Sequence, residues 1–329
     1  MYYILFVVCA ILIVYSGMAL SKYGDVIASA TNLGHSLVGI LLLSVVTSLP
    51  ELISSIGSVT VVDAPSLAFG NIFGSNMFNI FIIFLMDLLF KKDSIFVDIS
   101  LANIVTGIYA LLLTIVAIMG FVFKMPNFLW VSSGSIIIFV IYVASVYSAY
   151  RSSFFDIQME NEDEKVDSAS LRKAVLLFTF FAIIIVVAGL LLSKSADVIA
   201  LETGLGRSFV GAFLLAFVTS LPEISASIGA IRVGSANMAF GNIAGSCVFN
   251  VAILFFVDIF YMKGSVFEFV SLIHLKSALL SAIMLIIALI GVKQDKISRF
   301  RLGRISIYSF YIGIFYTFYL LYMYKMRGS

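Results

Sequence analysis

The sequence predicts an all-α polytopic membrane protein, with ten transmembrane helices arranged as two inverted five-helix repeats. Three observations carry this. Of 329 residues, 62% are hydrophobic and only 12% charged, at a mean hydropathy of +1.14, which leaves too little charge to cover a soluble globule. The apolar residues gather in runs long enough to cross a hydrocarbon core about 30 Å thick, which takes roughly 20 helical residues. Finally, "SVVTSLPE" at 44–51 returns as "AFVTSLPE" at 216–223.

The runs fall near 2–20, 36–60, 66–90, 99–123, 128–149, 172–193, 207–230, 237–262, 270–292 and 304–324. Each is continuous and rich in Leu, Ile, Val and Phe, which predicts helices rather than the alternating strands of a barrel. The first has no basic residue ahead of its apolar stretch and has an internal counterpart, so it is expected to be retained rather than cleaved as a secretory signal. Cys9 and Cys247 both lie within spans and are expected to be buried thiols, neither bridged nor metal-bound. There is no GxxxxGK[ST] loop for direct ATP drive. Nothing points to nucleic acid, a cofactor or an obligatory protein partner; the bilayer is the expected surrounding.

Charge sets the orientation. With the N-terminus outside, the inner loops hold thirteen Lys and Arg residues and the outer loops six, with Lys276 uncounted. The positive-inside rule then places both termini on the extracytoplasmic side, in what is expected to be the cell membrane. Residues 1–150 would form the first repeat and 172–329 the second, inverted one. The acidic stretch 151–171 between them would be a solvated cytoplasmic linker.

The duplication is direct. "GHSLVGILLLSVVTSLPE" (34–51) and "GRSFVGAFLLAFVTSLPE" (206–223) agree at twelve of eighteen positions, and "FGNIFGSNMFN" (69–79) and "FGNIAGSCVFN" (240–250) at eight of eleven. "LSKYGDVIA" (20–28) is answered by "LSKSADVIA" (192–200). Each half is therefore one unit of five spans. An odd unit followed by its copy must insert in the opposite sense, the inverted-repeat plan of secondary transporters, whose sites lie at the repeat interface near the midplane.

Pro50 and Pro222 mark that site. A proline within a helix donates no hydrogen bond and clashes with the carbonyl four residues back, here that of Val46 or Val218, loosening the turns Ser44–Thr47 and 216–219. Such backbone at membrane depth needs another partner, and a bound cation supplies one. Thr47 and Glu51 share a helix face, as do Thr219 and Glu223. The other wall is a stripe every four residues, Asn71, Ser75 and Asn79, repeated as Asn242, Ser246 and Asn250, beside Gly70 and Gly74 or Gly241 and Gly245. Stripes of this kind also serve as helix–helix glue. The glutamates are more telling, because an ionisable group at mid-membrane costs about 2.5 kcal/mol or more. Two carboxylates with hydroxyls, amide oxygens and carbonyls make a hard-oxygen cage suited to Ca²⁺ and to Na⁺ of similar size, and unlike a zinc site.

His35 and His274 are expected at interfaces, Asp87 and Asp258 as caps near span ends, and Asp25 and Asp197 as entrance or capping residues.

The paired "TSLPE" and "GNIxGSxxFN" motifs resemble the two α-repeats of the cation/Ca²⁺ exchanger superfamily, in the pattern of its prokaryotic-type Na⁺/Ca²⁺ exchangers. The resemblance covers both halves. It implies a secondary antiporter rather than an enzyme, with Ca²⁺ and Na⁺ as substrates of one central cluster under alternating access. By position, Glu51 and Glu223 would be shared central ligands, with the carbonyls of Thr47 and Thr219 completing the Ca²⁺ shell. Ser48 and Ser75 would serve one flanking Na⁺ site with the Ser44 carbonyl; Ser220 and Ser246 would serve the other with the Ala216 carbonyl. Asn79 and Asn250 would face the carboxylates. Two departures stand out. Val46 and Val218 occupy a position that is usually glycine, so the break rests on proline and the bound ion. Asn250 stands where some members carry aspartate, which argues against K⁺ co-transport. The alternative function is H⁺/Ca²⁺, or other divalent cation, antiport; a channel ranks below both, because the breaks enclose a site rather than a through-pore.

Overall fold

The long apolar runs fold as helices, which satisfy every backbone group within the segment. The computed structural model describes residues 2–31, 33–89, 95–96, 98–123, 125–157, 168–202, 217–294, 301–302 and 305–325. Helix α1 is Tyr2–Thr31; α2 (Gly34–Thr47) and α3 (Leu49–Thr60) form a pair bent by 40°. There follow α4 (Pro65–Leu89), α5 (Leu101–Phe123), α6 (Ser133–Ile157), α7 (Ser168–Glu202), α8 (Leu221–Arg232), α9 (Ala236–Phe260), α10 (Leu272–Gln294) and α11 (Ile307–Lys325).

Among the described residues, seven helices are long and apolar enough to cross a membrane, or eight with the bent pair as one span. Of the remaining expected spans, 304–324 is α11, whose apolar part is the shorter Ile307–Leu321. The first half of the expected span 207–230 lies outside the described residues, as does most of the linker.

Two features depart from the expected elements. Helices α1 and α7, of 30 and 35 residues, reach ~45 and ~52 Å at 1.5 Å per residue, well beyond the apolar runs. They continue because nothing breaks them: Lys22 and Lys194 are good helix formers. The chain also forms two small hairpins, β1 (Asn127–Phe128) with β2 (Val131–Ser132) and β3 (Arg301–Leu302) with β4 (Ile305–Ser306). Two-residue strands carry no readable alternation.

Helices α4 and α9 form the centre, with 72% and 78% of their apolar windows buried against at most half elsewhere. Phe69, Ile72, Phe73, Met77 and Ile80 of α4 pack with Met238, Ile243, Cys247, Val251 and Leu254 of α9 in one core. The glycines of the stripes set the spacing. A Cβ on Gly245 would lie 2.5 Å from the Ile40 carbonyl oxygen and 2.6 Å from Ser44 Oγ, and one on Gly241 would lie 2.7 Å from the Ser36 carbonyl oxygen. Here α2 is wound as a π-helix over Val38–Leu43, a local widening frequent at functional sites. Gly70 takes the ring of His274 in the same way, so that histidine packs between helices. Both cysteines are buried and unbridged.

Asp87 and Asp258 act as caps, as expected, but on distant partners. Asp258 accepts from the backbone N–H of Ser132 (2.7 Å) and Val266 (2.8 Å) and from Ser135 Oγ (2.6 Å). Asp87 mirrors it, accepting from Ile95 N (3.0 Å), Ser306 N (2.8 Å) and the Ser309 hydroxyl. Each aspartate thus pins the hairpin and helix start of the other half. Replacing Asp258 by Ala leaves two buried N–H groups unpaired, at about 1–3 kcal/mol each. The expected result is a thermal unfolding midpoint in detergent far below that of Asp258→Asn, which keeps one acceptor; equal midpoints would show that the pin is idle.

Contacts sort the loops into two ends. At one end, Lys263 pairs with Asp63 at 2.6 Å, holding the Asp63 carboxyl below its usual range, and Asn127 Nδ2 donates to Glu268 (2.9 Å). At the other, Asn237 Oδ1 accepts from Ser100 N (2.8 Å), and Ser36 Oγ donates to Ser100 Oγ (2.6 Å). There too, Asp25 pairs with His35 at 2.9 Å, a helix-to-helix contact rather than a free entrance charge. The side chain of Asp197 lies outside the described residues.

Candidate functional site

The helix breaks fall two residues before the prolines. Ser48 (φ −93°, ψ 6°) and Ser220 (φ −88°, ψ 6°) leave the helical region in the same way. The ladder crosses the first break through Ser48 N to the Ser44 carbonyl (3.1 Å) and resumes with Leu52 N to the Ser48 carbonyl (3.2 Å). In the second copy, Ile224 N bonds the Ser220 carbonyl at 3.1 Å. Pro50 and Pro222 thereby sit in the first turn of α3 and α8, where a missing N–H is harmless. Glu51 and Glu223 occupy the same first turns, where the positive helix end favours a carboxylate.

Ser44, Thr47, Ser48, Glu51, Ser75, Asn79, Thr219, Ser220, Glu223, Ser246 and Asn250 are all fully buried. Ala216 lies outside the described residues. The two breaks meet. Ser48 Oγ donates to Glu223 Oε1 at 2.8 Å, and Ser75 Oγ to Glu51 Oε1 at 3.4 Å. The side chains of Thr47 and Thr219 lie beside Glu223 and Glu51 respectively. Asn79 stands one turn beyond Ser75 on α4, and Asn250 one turn beyond Ser246 on α9.

The site holds several polar atoms that the protein itself does not pair. Glu51 Oε2, Glu223 Oε2, Ser220 Oγ and the amide atoms of Asn79 and Asn250 are buried without hydrogen-bond partners. Buried polar groups are nearly always paired, and carboxylate, amide and hydroxyl oxygens left unpartnered together are the arrangement that a hard cation completes. No cluster of three or more His, Cys, Asp or Glu occurs among the described residues, so the negative charge rests on two carboxylates.

One neighbour was not anticipated. The Ser44 carbonyl has the Ser246 hydroxyl oxygen 3.5 Å away. The cause is the packing of α9 through Gly245 onto Ile40 and Ser44, which carries the adjacent serine there. Two further residues emerge. Asn71 Nδ2 donates to the Glu51 carbonyl (3.3 Å) and Ser55 Oγ (3.0 Å), and Asn242 Nδ2 to the Glu223 carbonyl (3.3 Å) and Ser227 Oγ (3.0 Å). Their presence in both stripes was the available signal; their backbone targets were not visible in it.

Comparison with known proteins matches the family model for sodium/calcium exchanger protein over residues 1–148 and 173–326. The chain belongs to this family. The break between the matched segments coincides with the acidic linker, and the resemblance of the paired motifs is borne out. Among curated relatives of this exchanger-family chain, the membrane protein MJ0091 of Methanocaldococcus jannaschii is 25% identical over 275 residues, 84% of each chain. The inner membrane protein YrbG of Escherichia coli is 26% identical over 256 residues, 76% of this chain and 77% of its own. Among solved structures, the sodium-calcium exchanger NCX_Mj soaked with 2.5 mM Na⁺ and 10 mM Sr²⁺ superposes with a TM-score of 0.75 at 20% identity, covering 98% of this chain and 99% of that one. The fold is shared. Family and apolar helices together make the chain an integral membrane protein of the exchanger type.

Proposed function

We propose that the chain is a Na⁺/Ca²⁺ antiporter working by alternating access. The observation that carries this is the meeting of Glu51 and Glu223, fully buried, at twin helix breaks and with unpartnered acceptor oxygens around them. Glu51 and Glu223 are the central ligands, shared by Ca²⁺ and Na⁺, with the carbonyls of Thr47 and Thr219. Ser44, Ser48, Ser75, Ser220, Ser246 and Ala216 complete the flanking positions, and Asn79 and Asn250 supply neutral oxygens. Two carboxylates balance one Ca²⁺ or two Na⁺, which lets the ions compete for one site.

The ten-span, inverted-repeat plan is part of the proposal. It is supported by the sorting of loops. The segment after α3, the hairpin before α6 and the segment after α9 share one end, while the turns before α2, α5 and α9 share the other, as alternating crossings require. Both termini are then extracytoplasmic by the charge bias, with residues 1–150 and 172–329 as the two halves.

The test is Ca²⁺ uptake into proteoliposomes with and without an outward Na⁺ gradient. Uptake is expected only with the gradient. Loading by more than two Na⁺ moves net charge, so flux then responds to membrane potential by up to about 2.3 kcal/mol per charge per 100 mV. Uptake that ignores Na⁺ and follows a pH gradient would replace this reading with H⁺/Ca²⁺ exchange.

A further inference from the structure

Helix α2 changes its winding just before the candidate ion site. Over Val38–Leu43 it is a π-helix, and at its end the Ser44 N–H reaches five residues back, to the Gly39 carbonyl. In an α-helix that N–H would bond the Ile40 carbonyl. Here the Ser44 hydroxyl donates to the Ile40 carbonyl instead. Helix α9 closes over this bond. A Cβ on Gly245 would lie 2.5 Å from the Ile40 carbonyl oxygen, 2.6 Å from Ser44 Oγ and 2.8 Å from Ser44 Cβ, and Ser44 is fully buried. The winding matters downstream, because each extra residue taken up by a wider turn rotates everything after it by about 100° against an uninterrupted α-helix. The α-helix resumes at Ser44, so the directions of Thr47, Ser48 and Glu51 follow from this turn. The Ser44 carbonyl accepts from Ser48 N at 3.1 Å, with Thr47 Oγ1 at 3.3 Å and Ser246 Oγ at 3.5 Å. The second copy differs in sequence at this point. Thr47, Ser48 and Glu51 recur as Thr219, Ser220 and Glu223, but the counterpart of Ser44 is Ala216, which has no hydroxyl.

We infer that the Ser44 hydroxyl is a positioning residue: it holds the π turn in place and so aims the Ser44 carbonyl at the flanking Na⁺ position beside Ser246. The inference rests on the antiport reading above and deepens it, because a support present in one copy only makes the two flanking positions unequal. The hydroxyl acts through the carbonyl rather than by touching the ion. A Ca²⁺ between Glu51 and Glu223 is held chiefly by charge. A Na⁺ to one side of them depends more on neutral oxygens, whose dipoles bind only when aimed at it. Loss of the hydroxyl therefore falls on Na⁺ before Ca²⁺.

The variants are Ser44→Ala, which deletes the hydroxyl, keeps the carbonyl and copies the residue of the second half, and Ser44→Cys, which keeps a weaker donor. Loss of one hydrogen bond corresponds to about a two- to tenfold change in an equilibrium. In proteoliposomes loaded with Na⁺, the internal Na⁺ concentration that half-saturates Ca²⁺ uptake is expected to rise by that factor for Ser44→Ala and by less for Ser44→Cys. The external Ca²⁺ concentration that half-saturates uptake is expected to stay as in the wild type. Equal weakening for both ions would make the bond merely structural, and an unchanged Na⁺ dependence would mean that the hydroxyl does not aim the carbonyl; either overturns the inference. Hydrogen–deuterium exchange of segment 38–48 in ion-free detergent tests the turn itself and needs no transport. Faster exchange in Ser44→Ala upholds the hydroxyl's hold on the turn, and unchanged exchange overturns it. Wild-type uptake that ignores Na⁺ removes the antiport reading and the Na⁺ assignment with it, and exchange then decides on the turn alone.

Discussion

Replacing Glu51 or Glu223 by Gln is expected to reduce Ca²⁺ flux by about a hundredfold or more, with the protein still folded. The substitution keeps volume and one acceptor oxygen but removes half the negative charge of a fully buried site. Within a low-dielectric interior, deleting one partner of a charge pair costs about 3–5 kcal/mol, which is about two to nearly four orders of magnitude in an equilibrium. Folding is expected to survive because the neutral amide needs less solvation than the carboxylate it replaces, and Ser48 and Ser75 can still donate to its oxygen. The measurement is ⁴⁵Ca²⁺ uptake into vesicles beside gel filtration of the same preparation. Normal uptake by both single variants would remove the glutamates from the mechanism.

The second large effect concerns packing. Gly245→Val is expected to destabilise the protein by more than about 3 kcal/mol, because a Cβ there meets the backbone of Ile40 and the side chain of Ser44 at 2.5–2.8 Å, and backbone cannot rotate aside as a flexible chain end can. Gly57→Ala is the control. Nothing lies within 4 Å of its Cβ position, and inside α3 the change gains about 1 kcal/mol of helix propensity. Thermal unfolding in detergent should move down for the first and slightly up for the second. A well-folded, fully active Gly245→Val would mean that α2 and α9 do not touch as described.

Much of this site was legible because it is written twice. A lone Pro-Glu in an apolar run is ambiguous, but the same five residues 172 positions later, with matching serine and asparagine stripes, single out Glu51, Glu223 and their neighbours. What stayed hidden depends on contacts made across the chain. The π-helical turn over Val38–Leu43 arises against α9, and nothing in "VGILLL" announces it. Asn71 and Asn242 were visible as polar, yet their targets include the main-chain carbonyls of the two glutamates, and every residue has a carbonyl. The neighbourhood of Ser44 and Ser246 follows from a helix crossing fixed by Gly245, and crossings have no local signature.

The aspartate pins bear on how the molecule is made. Ser132, at the end of β2, waits for Asp258, 126 residues further along the chain. At about 5–20 residues per second, synthesis runs for roughly 6 to 25 s before that partner exists. Helices α1–α6 therefore leave the ribosome with the Ser132 N–H still lacking this acceptor, and become complete only when the later helices arrive and receive their own pin from Asp87. The halves mature together, each as the other's scaffold.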